Sequence, residues 1–388
     1  MTDRIIVPMG RPTEAPSDTT KVPFLGLARE YEEIGEEAEE AVLTVMRSGS
    51  YVLGPDVERF EDECAKQLGV RHAIGVNSGT DALLLAMRAL GIGPGDQVIT
   101  SPFSFLATGS SVRLVGAWPM FADIDPRTYQ LDPADVVRRI TPATKAIMPV
   151  SLFGQPADMD ALSAIAREHD LLLLDDAAQS FGARLGSKCV GALADASAFS
   201  FYPTKNLGGC GDGGLITTDD DRLAAAVRKL RTHGVAEASE DQPGFNSRLD
   251  AIQAAILGVK LGHLPRWNAA RRKNAERYDA AFADLEAIHA PGVIRGAYHV
   301  YHQYAIRVVR GERDELAKRL EEAGVETRVY YAQPIHRHSL FAAYPVQLPH
   351  AERAAQEVLC LPVSPGLTEA GQERCIDVVT RFAREQVS

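Results

Sequence analysis

The chain has 388 residues, of which 45% are hydrophobic and 24% charged, and its net charge is −11. That length exceeds what one core usually organises, so two domains are expected, with the composition of a globular enzyme. The negative balance argues against a partner such as nucleic acid held by the overall field of the protein.

Residues 1–21 carry proline, threonine and charge without the apolar run of a signal peptide, and read as a loose extension. No later run is long enough to span a bilayer as a helix, so no membrane partner is expected. The five cysteines are dispersed with no CxxC pair, which suits a reducing cytoplasm better than a disulfide framework. Helical spacing begins in EYEEIGEEAEEAVLTVMRSGSY, with Gly49 as its stop, and resumes after a turn in YVLGPDVERFEDECAKQLG. Strands and helices then alternate. HAIGV is a strand, DALLLAMRALG a helix closed by Gly91, and QVITS, WPMFADI and KAIMPVSLFG are further strands. The helix DMDALSAIAREHD feeds the strand LLLLDDAAQS, and SAFSF and GLITT are strands on either side of a glycine-rich loop. Apolar strands alternating with helices predict a mainly parallel sheet covered by helices, with binding residues at the strand ends. Beyond Asp250 long helices come first, then VYHQYAIRVV as a strand, a helix from Arg313, and the strand-like VETRVYY. This part reads as a smaller α+β domain.

Three stretches carry chemistry. In FSFYPTKNLGGCGDGG, Lys205 leads into a loop with five glycines among residues 208–214. A lysine at the edge of an apolar site can have its pKa lowered and form a Schiff base with an aldehyde. The glycines would let the backbone pass close to a bulky group. A surface lysine near a turn is the plainer alternative. In VNSGTDALLLA a strand runs into Ser78, Gly79 and Thr80 and opens a helix, which makes either a phosphate cup or an ordinary helix cap. In LLLLDDAAQS two aspartates end a buried strand, and alternation lets only one face a given site. A carboxylate there could keep a pyridine nitrogen protonated, bind a metal, or simply close a turn.

Cup, acid and lysine, in that order, are what an enzyme using pyridoxal 5'-phosphate must supply. The segments PFLGLAREYEEI, SGSYVLGPDVERFE, NSGTDAL, DDAAQS, FSFYPTKNLGGCGDGG and GFNSRLDAIQAA resemble, in register, the DegT/DnrJ/EryC1/StrS family of sugar aminotransferases. The resemblance implies an α/β PLP-dependent transferase fold of type I. Its large domain would hold a mainly parallel seven-stranded sheet sandwiched by helices, beside a smaller C-terminal α+β domain. The expected division is 1–21 extension, 22–256 large domain and 257–388 small domain. It also implies that Lys205 forms the Schiff base and shuttles the proton, and that Asp176 contacts the pyridine nitrogen while Asp175 faces away. Gln179 would lie near the ring's phenolic oxygen and Phe105 would stack on the ring. Gly79, Thr80 and Ser200 would bind the phosphate. Family members are homodimers with shared sites, so Asn246 and Arg248 would reach the neighbour's site, an ion pair of Arg248 with Asp250 being the alternative.

Such enzymes take an amino group from a donor, here expected to be glutamate, and pass it to a keto sugar on a nucleotide diphosphate. Relatives that dehydrate sugars carry histidine at the lysine position, so Lys205 favours amination. MPVSLFGQPADMDAL, GFNSRLDAIQAAIL and VYHQYAIRV look most like members acting at C3, on dTDP-3-keto-6-deoxyhexoses or a UDP-linked 3-keto N-acetylglucosaminuronate. A 4-keto sugar enzyme and a non-catalytic regulatory protein on the same fold are the alternatives. In RVYYAQPIHRH, Tyr331 and His336 resemble the family's substrate loop. Tyr330 departs from the histidine, and Ala332 from the proline, often found there. The pairs His299 and His302, and His336 and His338, lack the cysteine or acid partners of a metal site, so no metal is expected. Cys210 has no base beside it and reads as a packing residue.

Overall fold

The computed structural model describes residues 21–235, 243–343 and 345–386. In chain order come α1 (Leu27–Ser48), α2 (Pro55–Leu68), β1 (His72–Val76), α3 (Gly79–Ala89), β2 (Gln97–Thr100), α4 (Leu106–Leu114) and β3 (Trp118–Phe121). Next are α5 (Pro133–Arg139), β4 (Thr144–Met148), α6 (Met159–Glu168), β5 (Leu172–Asp176), β6 (Arg184–Leu185) and β7 (Lys188–Cys189). β8 (Ala196–Ser200), β9 (Gly214–Thr218), α7 (Asp221–Leu230) and the long α8 (Ala251–Phe282) follow. The remainder is β10 (Ile288–His289), β11 (Ala297–Tyr298), β12 (Tyr304–Val308), α9 (Arg313–Glu322), α10 (Pro349–Glu357), β13 (Val358–Leu361) and α11 (Glu369–Glu385).

Local chemistry sets these limits. α1 ends where Gly49 adopts a left-handed conformation at φ 71°. α2 starts with Pro55 in its first turn, where the missing N–H costs nothing. α7 starts on Asp220, whose side chain accepts hydrogen bonds from the N–H groups of Arg222 and Leu223.

Seven strands form one sheet in the order β1-β9-β8-β5-β4-β2-β3. The pairs from β8 through β5, β4 and β2 to β3 are parallel, and β9 runs against both its neighbours. Ala198 and Ile216 face one core, with Leu83, Met87 and Val227 of α3 and α7. Phe199 and Leu215, one residue along, face another with Phe60 of α2 and Leu257 and Leu261 of α8. Alternation therefore buries both faces of the sheet under helices, as the uniformly apolar strands predict.

A second sheet, β10-β12-β13, is packed by α9, α11 and the end of α8. The boundary expected at residues 256 and 257 falls inside α8, whose Leu264 belongs to the large-sheet core and whose Ala275, Tyr278 and Phe282 belong to the small one. We propose a two-domain chain joined through this helix. VETRVYY differs from its expected strand. It makes isolated bridges, Val22 with Val325 and Arg328 with Cys360. Tyr330 and Tyr331 are then drawn inward to pack against Phe24 and Phe103. Of the N-terminal extension, residues 1–20 lie outside the described residues.

Removing the α7 cap is expected to cost about 1 kcal/mol. Urea unfolding of Asp220→Ala should show this as a lowered midpoint.

Candidate active site

The ends of β8, β5 and β1 open on the same edge of the sheet, where parallel α/β folds place their binding residues. β8 delivers Ser200 and, after a turn closed by the Lys205 N–H on the Tyr202 carbonyl (2.9 Å), Lys205 itself. Phe199 and Phe201 are buried and Ser200 half-buried, so alternation turns the serine toward the site. The glycine loop folds back on the strand, with Phe201 N–H on Gly213 O and Gly209 N–H on Phe201 O, both 2.8 Å. A Cβ on Gly208 would stand 2.4 Å from Pro203 O, a distance no side chain tolerates.

β5 ends in Asp175 and Asp176, whose carboxyls part company. Ser151 Oγ lies 2.9 Å from Asp175 Oδ1 and 3.0 Å from Oδ2. Asp176 Oδ2 accepts from Thr108 Oγ1 at 2.7 Å, and its Oδ1 from the Ala178 N–H at 3.3 Å. Both carboxyls are buried. Burial pushes Asp175 up to about 7, with the Ser151 bonds pulling the other way. Burial also raises Asp176, against the Thr108 bond, the Ala178 N–H and the charge of Lys205. Lys205 is lowered to about 8 by desolvation, with Asp176 opposing the shift.

β1 leads to the cup. Ser78 caps α3, its hydroxyl accepting from the Asp81 N–H at 3.1 Å. Helix geometry leaves the N–H groups of Gly79 and Thr80 without intrahelical partners. A Cβ on Gly79 would stand 2.7 Å from the Cβ of Ser200, so this cradle requires glycine. Phe105 caps α4 and is 52% exposed, a flat apolar face turned to solvent. Gln179 is held at both ends of its amide: Oε1 accepts from the Phe153 N–H at 2.8 Å and Nε2 donates to Tyr331 OH at 3.0 Å.

The other expected residues lie apart from this contact set. Asn246 is exposed and pairs with Thr232 in an isolated bridge. Arg248 places Nη1 3.4 Å from His233 Nε2. His336 is buried, with Nε2 3.1 Å from Glu352 Oε1 and its Nδ1 without a partner. Sequence reading did not single out Thr108, Ser104, Ser151 or Asn206. The amide of Asn206 joins Asn268, the Val300 carbonyl and His302 in a buried network behind Lys205. The spacing of Ser104 and Thr108 in SPFSFLATG marks one helical turn, but nothing in the sequence ties that turn to Asp176. Among the described residues no three His, Cys, Asp or Glu side chains form a metal-binding group, and no helix is long and apolar enough to cross a membrane.

These residues fit a phosphorylated pyridine aldehyde. There is a helix N-terminus with glycine at its first position for the phosphate, an amine that deprotonates near neutrality, and a buried carboxylate for a protonated ring nitrogen. Because the folded value of Lys205 lies below the ordinary ~10.4, the charged amine costs stability below pH 8, and that cost fades as pH rises through the window above it. In cofactor-free protein, modification of Lys205 by an amine reagent should be half-maximal near pH 8, while exposed lysines respond near ~10.4. Peptide mapping of the labelled protein across pH checks this.

The family model for DegT/DnrJ/EryC1/StrS aminotransferases matches residues 32–380. A pleiotropic regulatory protein of Geobacillus stearothermophilus is 46% identical, over 94% of this chain and 99% of its own. The dTDP-3-amino-3,4,6-trideoxy-alpha-D-glucose transaminase of Streptomyces venezuelae is 43% identical over 95% and 97%. The UDP-2-acetamido-2-deoxy-3-oxo-D-glucuronate aminotransferase of Pseudomonas aeruginosa is 41% identical over 90% and 97%. The solved structure of NtdA from Bacillus subtilis with bound cofactor PMP matches with a TM-score of 0.89 at 34% identity, covering 96% of this chain and 87% of that one. Matched along nearly its whole length and carrying a site that fits pyridoxal phosphate, the chain belongs to the DegT/DnrJ/EryC1/StrS aminotransferase family.

Proposed function

We propose that the protein moves an amino group from glutamate to C3 of a nucleotide-linked keto sugar, as a homodimer with shared sites. The observation that carries this reading is Lys205, depressed to about 8, placed within electrostatic reach of the buried carboxylate of Asp176. Pyridoxal phosphate, when bound, supplies a protonated ring that draws in the electrons left when a substrate carbon loses its proton. Asp176 would keep that ring nitrogen protonated. Gly79, Thr80 and Ser200 would hold the phosphate, with Asn246 of the neighbouring copy, while Phe105 would stack on the ring and Gln179 would meet its phenolic oxygen. Lys205 Nζ, as a free amine, would accept the proton from the donor's α-carbon and, in the acceptor half of the exchange, would deliver a proton to the sugar carbon that receives the amino group. With a pKa near neutrality, it is suited to both directions.

The choice of C3 rests on two relatives whose names differ in nucleotide and in sugar but share position 3. Arg248, Tyr331 and His336 are the proposed sugar contacts. A planar guanidinium at Arg248 suits a diphosphate or an acidic sugar. The regulatory name of one relative favours a second reading, a protein using the fold without turnover. The presence of both Lys205 and Asp176 supports catalysis over it.

Glutamate should bleach the visible absorption band of the PLP-loaded protein, and a nucleotide-linked 3-keto sugar should restore it. A band indifferent to glutamate would exclude this donor, and no band after supplying PLP would favour the regulatory reading. Lys205→Ala should remain folded and lose at least ~10²–10⁴-fold in turnover, measured by single-turnover kinetics.

A further inference from the structure

We propose that Thr108 is a positioning residue for Asp176, with Ser104 behind it as the second hydroxyl of a directed hydrogen-bond chain. The inference rests on the reading of Asp176 as the partner of the ring nitrogen. The chain's direction follows from chemistry. An ionised carboxylate only accepts, so the hydroxyl proton of Thr108 points to Asp176 Oδ2 across 2.7 Å. That leaves the Thr108 oxygen to accept, and Ser104 Oγ stands 2.9 Å away to supply the proton. Ser104, Thr108 and Asp176 are all buried, so no solvent competes for these bonds. A hydrogen bond to a buried charge is stronger than a neutral one, and losing this donor leaves Asp176 with only the Ala178 N–H and the field of Lys205 to offset desolvation.

The backbone makes this arrangement part of a larger piece. Thr108 N–H bonds Phe105 O at 3.1 Å, so the first turn of α4 carries both Phe105, for the face of the ring, and Thr108, for the carboxylate at its nitrogen. One rigid turn therefore fixes the stacking group and the carboxylate's orientation together.

Lys205, Asp175 and Tyr331 are the charged or titratable groups whose fields reach Asp176. Lys205 favours its ionised form, and Asp175, itself tied to Ser151, disfavours it. Thr108 is the hydroxyl donor on the side opposite Ser151. The folded value of Asp176 lies above its ordinary one, so this group costs stability as pH rises from the unfolded value through the folded one. Removing the Thr108 donor moves that upper limit higher and deepens the cost at neutral pH.

The test compares Thr108→Val, which keeps shape without the hydroxyl, with Thr108→Ser, which keeps the hydroxyl. In spectroscopic titration of the full chain with PLP, Thr108→Val should weaken cofactor binding about 10-fold, and Thr108→Ser should restore it. Ser104→Ala should fall between them. In an Asp176→Asn background, Thr108→Val should have no further effect. In cofactor-free protein, the melting-temperature deficit of Thr108→Val should be larger at pH 8 than at pH 5. Equal binding by Thr108→Val and the native chain would overturn the proposal. So would a Thr108→Ser variant as weak as Thr108→Val, which would assign the effect to packing, or an equal loss in the Asp176→Asn background. If Asp176→Asn itself leaves PLP binding unchanged, the cofactor reading of Asp176 fails. The cofactor-free pH comparison then decides the Thr108 contact separately, and a deficit independent of pH would overturn it.

Discussion

Two opposite charges taken out of water set the terms for this protein. An isolated buried ammonium or carboxylate shifts its pKa until it is neutral, and only a facing partner and hydrogen bonds hold it charged. Lys205 and Asp176 sit in that balance, the lysine brought down to about 8 and the carboxyl raised. Lys205, with a value this close to neutrality, is not pinned in one protonation state there. Asp175, next in the chain, solves the same problem with Ser151 and turns to the other side. The sheet must supply one polar partner for each aspartate, on opposite sides, or the strand end could not be buried.

The rest of the architecture answers to that requirement. Parallel strands bring Asn77, Ser101, Ser151, Asp176 and Ser200 to one edge from sites far apart in sequence. Helices on both faces keep water from the strands, while α3 and α4 turn their first residues toward the same edge. The C-terminal part reaches in through Tyr331, whose hydroxyl closes on Gln179. The amide of Gln179 is thereby spanned between the Phe153 backbone and a tyrosine from the far side of the chain.

Much of this was legible in the sequence because it is local. The order of strands and helices, the capping of α3 by Ser78, and the burial of Phe199 and Phe201 around Ser200 all follow from short-range pattern. The separation of Asp175 from Asp176 follows from strand alternation alone. What sequence could not show is which distant hydroxyl meets which carboxyl: Thr108 and Ser151 are unremarkable in their own segments. The missing strand at VETRVYY has the same cause, since aromatic packing against Phe24 and Phe103 outweighs the local preference for extension. Asn246, Arg248 and His336 are named by resemblance alone, and within the single chain their neighbours are Thr232, His233 and Glu352 respectively.

The helix α8 enters both cores, with Leu257 and Leu261 in one and Tyr278 and Phe282 in the other. A shared helix of this kind removes the natural seam along which a two-part chain comes apart. Fraying that begins at the small sheet strips contacts from the same rod that roofs the large one. Damage on either side is therefore felt through one shared element, which couples the stability of the two halves.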